Sequence, residues 1–322
     1  MSSSFDRRGF LKSAAATGAV LGLGNLPLMA QPTTTTQSTS AAQPGVKSAE
    51  PLFKISLAEW SLNDTLRAGR LDNLDFPAFA KKEFGIEAVE YVNQFFMDKG
   101  KDKTYHADLK KRCDDAGVKS VLIMCDDRVS LGDPDEARRQ TAAETHFQWV
   151  EMAKFLGCHS IRVNARSSGT NDEQSDRVAD GLRRLSEFAK QHTINVIVEN
   201  HGGLSSNGEW LVATIKKVAM ENCGTLPDFG NFSIGRGQEY DRYKGVTELM
   251  PFAKGVSAKS YGFDEAGNET RIDFRKMLKI VLDAKYHGYI GIEWEGGTPG
   301  EVEGIRLTQK LLERVRDEMA KA

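Results

Sequence analysis

The amino-acid sequence predicts an α/β fold, a (β/α)8 barrel forming a single domain, on three observations. Short apolar runs alternate eight times with longer amphipathic stretches from residue 53 onward. The span that holds them, residues 51–322, suits such a barrel, which takes about 250 residues. The turn after the first run, Glu59-Trp60-Ser61-Leu62-Asn63, contains no glycine. An open, doubly wound sheet, the alternative, would carry a Gly-rich phosphate-binding turn there.

In chain order, residues 1–30 come first and read as an address. Asp6-Arg7-Arg8-Gly9-Phe10-Leu11-Lys12 resembles the twin-arginine export motif, and an apolar, small-residue stretch follows from Ala14 to Met29. That stretch is too short and too interrupted by Gly, Asn25 and Pro27 to span a bilayer convincingly. Cleavage is expected after Ala30 and the working compartment is expected to be the periplasm. The protein would touch a membrane only through an uncleaved signal. Residues 31–50, rich in Thr, Ser, Gln, Ala and Pro, bury too little apolar surface to fold and read as a flexible linker.

The eight runs read as strands are Lys54–Ala58, Ala88–Val92, Ser120–Met124, Ser160–Asn164, Asn195–Glu199, Gly224–Asp228, Gly255–Lys259 and Tyr289–Glu293. They are rich in Val and Ile and bounded by Gly, Asp or Asn. Helices are expected over 137–156, 176–190, 274–284 and 301–319, where apolar residues recur at three-to-four spacing. Strand alternating with helix implies a parallel sheet with right-handed crossovers.

Chemistry in such a barrel sits at the carboxyl ends of the strands. Here those ends are strongly polar: Glu59-Trp60, Glu90-Tyr91, Asp126-Asp127, Asn164-Ala165-Arg166, Glu199-Asn200-His201, Asp228-Phe229-Gly230-Asn231, Lys259-Ser260-Tyr261 and Glu293-Trp294-Glu295. An unpaired buried carboxylate costs several kcal/mol or protonates, so a cluster of them asks for a metal ion, a polyol or paired bases. Strand alternation places Glu199 and His201 on the face opposite Val196 and Val198. It places Ser257 and Lys259 opposite Val256 and Ala258, and turns Gly291, Glu293 and Glu295 toward the barrel axis.

The segments Val196–Gly203, Leu226–Asn231 and Gly291–Gly296 resemble strands five, six and eight of the xylose isomerase-like TIM-barrel superfamily of sugar isomerases and epimerases. The resemblance implies a divalent metal (Mn, Zn, Co or Mg) held by Glu199, Asp228 and Glu293, with Glu199 and Glu293 also serving as acid and base. Where that superfamily carries a metal-binding His on strand seven, this chain has Ser257, which leaves three expectations: the metal recruits His201, it binds through the three carboxylates and water, or it is absent and Lys259 supplies the positive charge. Trp60, Asn164, Arg166 and Glu295 are expected to bind substrate. Arg162 shares its face with Asn164 and Arg166, while Arg236 and Tyr240 could close over the site. His106, His146, His159, His192 and His287 read as structural.

Composition supports an ordinary globular protein, 27% charged and 40% hydrophobic. Removing residues 1–30 leaves 40 basic against 44 acidic residues, a mildly acidic balance that gives no electrostatic case for nucleic-acid binding. That argues against the endonuclease branch of the superfamily. The four cysteines form no C-x-x-C pair and read as buried small apolar residues, although an oxidising compartment would permit one disulfide. The expected partner is a small sugar or sugar derivative, and a homo-oligomer is allowed. The expected chemistry is proton abstraction beside a carbonyl through an enediolate, giving isomerisation or epimerisation. The alternatives are a lyase or hydratase acting on keto-sugars or glycosides, and a periplasmic sugar-binding protein without catalysis.

Overall fold

A computed structural model describes residues 50–321. The expected signal (1–30) lies outside the described residues, as does the expected linker up to residue 49. Eight parallel strands curl into one sheet: β1 (Lys54–Ala58), β2 (Ala88–Val92), β3 (Lys119–Met124), β4 (Ser160–Val163), β5 (Asn195–Glu199), β6 (Cys223–Leu226), β7 (Val256–Ser260) and β8 (Tyr289–Trp294). The order is β6-β5-β4-β3-β2-β1-β8-β7. Single parallel bridges, Thr225 to Ala253 and Asp228 to Ser257, join the two edges. This is a (β/α)8 barrel in a single domain, and the doubly wound alternative is set aside.

The strands alternate faces as their sequences demand. Val196 and Val198, Val256 and Ala258, and Ile290 and Ile292 pack outward with the helices. Ala58, Ala88, Val92, Met124, Ile197 and Leu226 fill a smaller core inside the barrel. The ladder slips by one residue where Val89-Glu90 of β2 meets Ser120 and Leu122 of β3, a bulge of the kind common at barrel rims.

Strand β6 ends at Leu226, two residues before the expected Asp228. Pro227 has no N–H to continue the ladder, and its carbonyl accepts from Ser257 N at 2.9 Å. Helix 171–191 starts five residues before the expected 176. Thr170 and Glu173 cap it reciprocally, each side chain taking the other's backbone N–H. After β6 the chain adds a small antiparallel hairpin, Ser233–Gly235 with Gln238–Glu239.

Candidate active site

Parallel register delivers the polar side chains to one mouth. Glu293 pairs with Lys259 across β8 and β7, and Gly291 with Ser257. Asp228 leaves β6 and bridges Ser257. Its backbone is held by Asn200, which accepts from Asp228 N at 2.8 Å and donates to Asp228 O at 3.0 Å. Asp228 Oδ1 in turn receives Gly230 N and Asn231 N at 2.8 and 2.7 Å. Asn231 also donates to Glu199 Oε1 at 2.9 Å. Sequence reasoning left the roles of Asn200 and Asn231 unread. Their signal lay in two of the quoted segments, where Asn200 follows Glu199 and Asn231 follows Asp228 closely.

Glu199, Asp228 and Glu293 are thereby brought together, buried, with one oxygen from each within 4.8 Å of the others. Two chain cations enter the cluster. Lys259 Nζ lies 3.0 Å from Glu293 Oε1, 3.2 Å from Glu295 Oε2 and 3.9 Å from Asp228 Oδ2. Arg162, on β4, reaches Asp126 Oδ1 at 2.7 Å and Glu199 Oε2 at 2.5 Å. Ser257 donates to Glu293 Oε2 at 2.8 Å, so its hydroxyl is turned to a carboxylate.

The carboxyls titrate apart. Burial raises Asp228 to about 8 against the pull of Lys259, with Glu293 and Glu199 adding to the rise. Burial raises Glu199 to about 7, opposed by Arg162. Glu293 goes the other way: burial pushes it up, but Lys259 and the Ser257 hydroxyl hold it below the usual carboxylate value. Asp126 is likewise held low against burial, by Arg162 and by Asn164. Burial brings His201 down to about 4, with Arg162 and Lys259 adding to the effect, so its ring is neutral at pH 7.

The cleft above the cluster measures about 140 Å³ and is lined by Trp60, Gln94, Asp126, Arg162, Arg166, His201 and Glu293, with Val92 and Met124 beneath. Glu293 is the triad member on that lining. Glu199 and Asp228 are fully buried. Trp60 Nε1 donates to Glu295 Oε1 at 2.7 Å, so Trp60, Glu295, Lys259 and Glu293 form a chain of contacts along one wall. Asn164 donates to Asp126 at 2.7 Å, beside the cleft. Arg236 is exposed in the hairpin turn and Tyr240 donates to Glu248 at 2.9 Å, away from the residues lining the cleft. Of the remaining histidines, His106 is bonded to the Lys99 carbonyl and His146 to the Ala142 carbonyl. The four cysteines are buried and free.

The donor set fits a divalent ion. Asp228 Oδ2 is buried without a hydrogen-bond partner, its nearest cation being Lys259 Nζ at 3.9 Å, and a buried carboxylate oxygen left unmet is what a bound cation satisfies. The ion would be held by Glu199, Asp228 and Glu293. Among the described residues no histidine joins that group.

A family model described as xylose isomerase-like TIM barrel matches residues 79–317. The chain is 32% identical over 84 residues to the 3'-dehydrocarminate deglycosidase alpha subunit of a Microbacterium species, covering 25% of this chain and 24% of that protein. It therefore spans about a quarter of the length of that curated relative. A xylose isomerase domain protein from Alicyclobacillus acidocaldarius superposes with a TM-score of 0.64 at 14% identity, over 84% of this chain and 100% of that one. The structure of an L-ribulose 3-epimerase superposes with a TM-score of 0.62 at 15% identity, over 84% and 96%. At such identities these two likenesses speak for the fold alone.

Proposed function

For this chain, which belongs to the xylose isomerase-like TIM barrel family, we propose an enzyme that moves a proton at the carbon beside a sugar carbonyl, an isomerase or epimerase. The observation that carries the reading is Glu293: a carboxylate that lines the cleft together with Arg162 and His201 and is held below its usual pKa by Lys259 and Ser257 against the effect of burial. Paired groups whose environments push their pKa values apart mark acid and base, and Glu293 and Glu199 are such a pair.

Glu293 takes the proton from the substrate carbon. Charge growing on the carbonyl oxygen is met by the cationic side of the cleft, where Arg162 stands. Neutral His201 serves as a hydrogen-bonding group to a substrate oxygen. Glu199, paired with Arg162, has its pKa raised by burial and serves as the proton-holding partner of Glu293. Lys259 keeps Glu293 ionised, and Trp60 offers a flat face to the sugar ring. A divalent ion bound by Glu199, Asp228 and Glu293 would supply Lewis-acid polarisation of substrate oxygens.

The same enediolate yields epimerisation, isomerisation or loss of a β-substituent. Elimination from keto-sugars or glycosides is the second reading, favoured by the likeness to a deglycosidase subunit. We also propose export to the periplasm, on Arg7-Arg8-Gly9-Phe10-Leu11-Lys12. Replacing both arginines by lysine should then leave the protein in the cytoplasm on fractionation.

The central test is incorporation of solvent deuterium into keto-sugars. The wild type should label the carbon beside the carbonyl. Glu293→Gln should lose labelling by at least a hundredfold while still binding sugar. Sugar binding by the metal-loaded wild type with no labelling would leave the non-catalytic binding reading standing instead.

A further inference from the structure

The charges that line the cleft close into pairs, with one left over. Asp126 is matched by Arg162 at 2.7 Å and Glu293 by Lys259 at 3.0 Å. Arg166 remains. It lines the cleft and is exposed. Among the described residues its guanidinium has no carboxylate within ion-pair distance. Beside it, Asn164 Oδ1 is buried and has no partner, because the amide nitrogen is the end spent on Asp126.

A lone guanidinium and an unsatisfied acceptor ask for different things. The guanidinium presents a planar fork that suits a carboxylate held by two parallel hydrogen bonds. The buried amide oxygen needs a donor, and leaving it unmet costs on the order of 1–3 kcal/mol. The volume, about 140 Å³, is that of one small ring, so both demands fall on a single residue of sugar.

We infer that the cleft takes a sugar acid, whose carboxylate lies on Arg166 and whose hydroxyl donates to Asn164 Oδ1. A phosphate monoester carries nearly two charges at pH 7, and the cleft has one free cation, so the carboxylate is the better match. The inference deepens the proton-transfer reading and rests on it for the reacting end of the substrate. Arg166 holds the carboxylate, and Glu293 acts on the carbon beside the carbonyl.

The test uses the full chain and isothermal titration with hexuronates, glucose and glucose 6-phosphate, at low and at 0.3 M salt. Hexuronate should bind at least tenfold more tightly than glucose. That preference should shrink with salt and vanish in Arg166→Gln, whose thermal stability should match wild type because the side chain is exposed. Arg166→Lys should keep only part of it, since an ammonium cannot reproduce the fork. Equal affinity for acid and neutral sugars, tighter binding of the phosphate, or a preference that survives Arg166→Gln would overturn the assignment. Deuterium labelling separates the two levels. Labelling of neutral ketoses with no preference for acids sinks the sugar-acid inference and keeps the proton transfer. Arg166-dependent acid binding without any labelling does the reverse.

Discussion

Lys259 shows how much one buried side chain controls. Its ammonium is almost fully enclosed and faces Asp228, Glu293 and Glu295. Burial alone would drive its proton off, but those carboxylates and Glu199 hold its pKa well above the ordinary lysine value. It therefore stays a cation and keeps Glu293 ionised. Removing one partner of a buried charge pair leaves the other uncompensated, at a cost of about 3–5 kcal/mol. Lys259→Met should lower stability by that order in urea unfolding and should raise the pH at which Glu293 acts as base. The sign follows from the depressed Glu293 value: its contribution is present above the ordinary carboxyl value near 4.5 and is lost as pH falls below it. In Lys259→Met the acid limb of the pH–rate profile should move upward, and an unchanged limb would remove lysine from the scheme. At this scale the inward faces of Lys259 and Glu293 were legible, because strand alternation is a strict period of two. Arg162 was less so. Its parity was readable, but its bonds to both Asp126 and Glu199 depend on register between β3, β4 and β5, which no single strand encodes.

Between neighbouring elements, small residues set what fits. Gly291 on β8 faces into the barrel, where an added Cβ would lie 2.6 Å from both carboxyl oxygens of Glu90. Glu90 sits on β2, with Ser56 of β1 donating to it at 2.6 Å. Gly291 is thus the space that an inward glutamate occupies. Overpacking a well-filled interior costs roughly 1–3 kcal/mol, so Gly291→Ala should destabilise by that amount. Glu90→Ala in the same chain should recover much of the loss, the two changes being strongly non-additive. If the single and double variants unfold at simply summed midpoints, Gly291 is not there to make room. Element boundaries show what was readable and why. Helix 171–191 was expected to begin at 176 because hydrophobic period was followed and the Thr170–Glu173 capping pair was not. Strand β6 was read through to Asp228 although Pro227 stops the ladder. Both signals were local and present. The Gly291–Glu90 contact was not, since it joins strands distant in sequence and needs the closed barrel to exist.

For the whole molecule, the barrel interior is a store of protons. Burial raises Glu90 to about 8, Asp228 to about 8 and Glu199 to about 7. In the unfolded chain the same groups return to ordinary values, 4.5 for Glu and 3.8 for Asp. Between about pH 5 and 7 the folded state therefore binds more protons than the unfolded one, so stability from these groups is full below the unfolded pKa values and declines as pH rises through the folded ones. One proton changes stability by about 1.4 kcal/mol per pH unit. Three give about 4 kcal/mol per unit as a ceiling, and mutual repulsion between Glu199 and Asp228 brings the slope below it. Chelator-treated protein should accordingly lose unfolding free energy between pH 5.5 and 7.5, with measurable proton release on denaturation. A divalent ion held by Glu199, Asp228 and Glu293 would change the direction of that slope near neutrality. An ion held there would bind ionised carboxylates and displace the protons of Glu199 and Asp228, so affinity and the stability it adds should grow with pH. Mn²⁺ titrated into the chelated protein at pH 7.5 should raise Tm and release protons into a weakly buffered solution, and Asp228→Asn should abolish both responses. A Tm that ignores Mn²⁺ across this range, in protein that still shows the proton-linked slope, would mean that Arg162 and Lys259 already satisfy the cluster and that its chemistry runs on the chain's own cations.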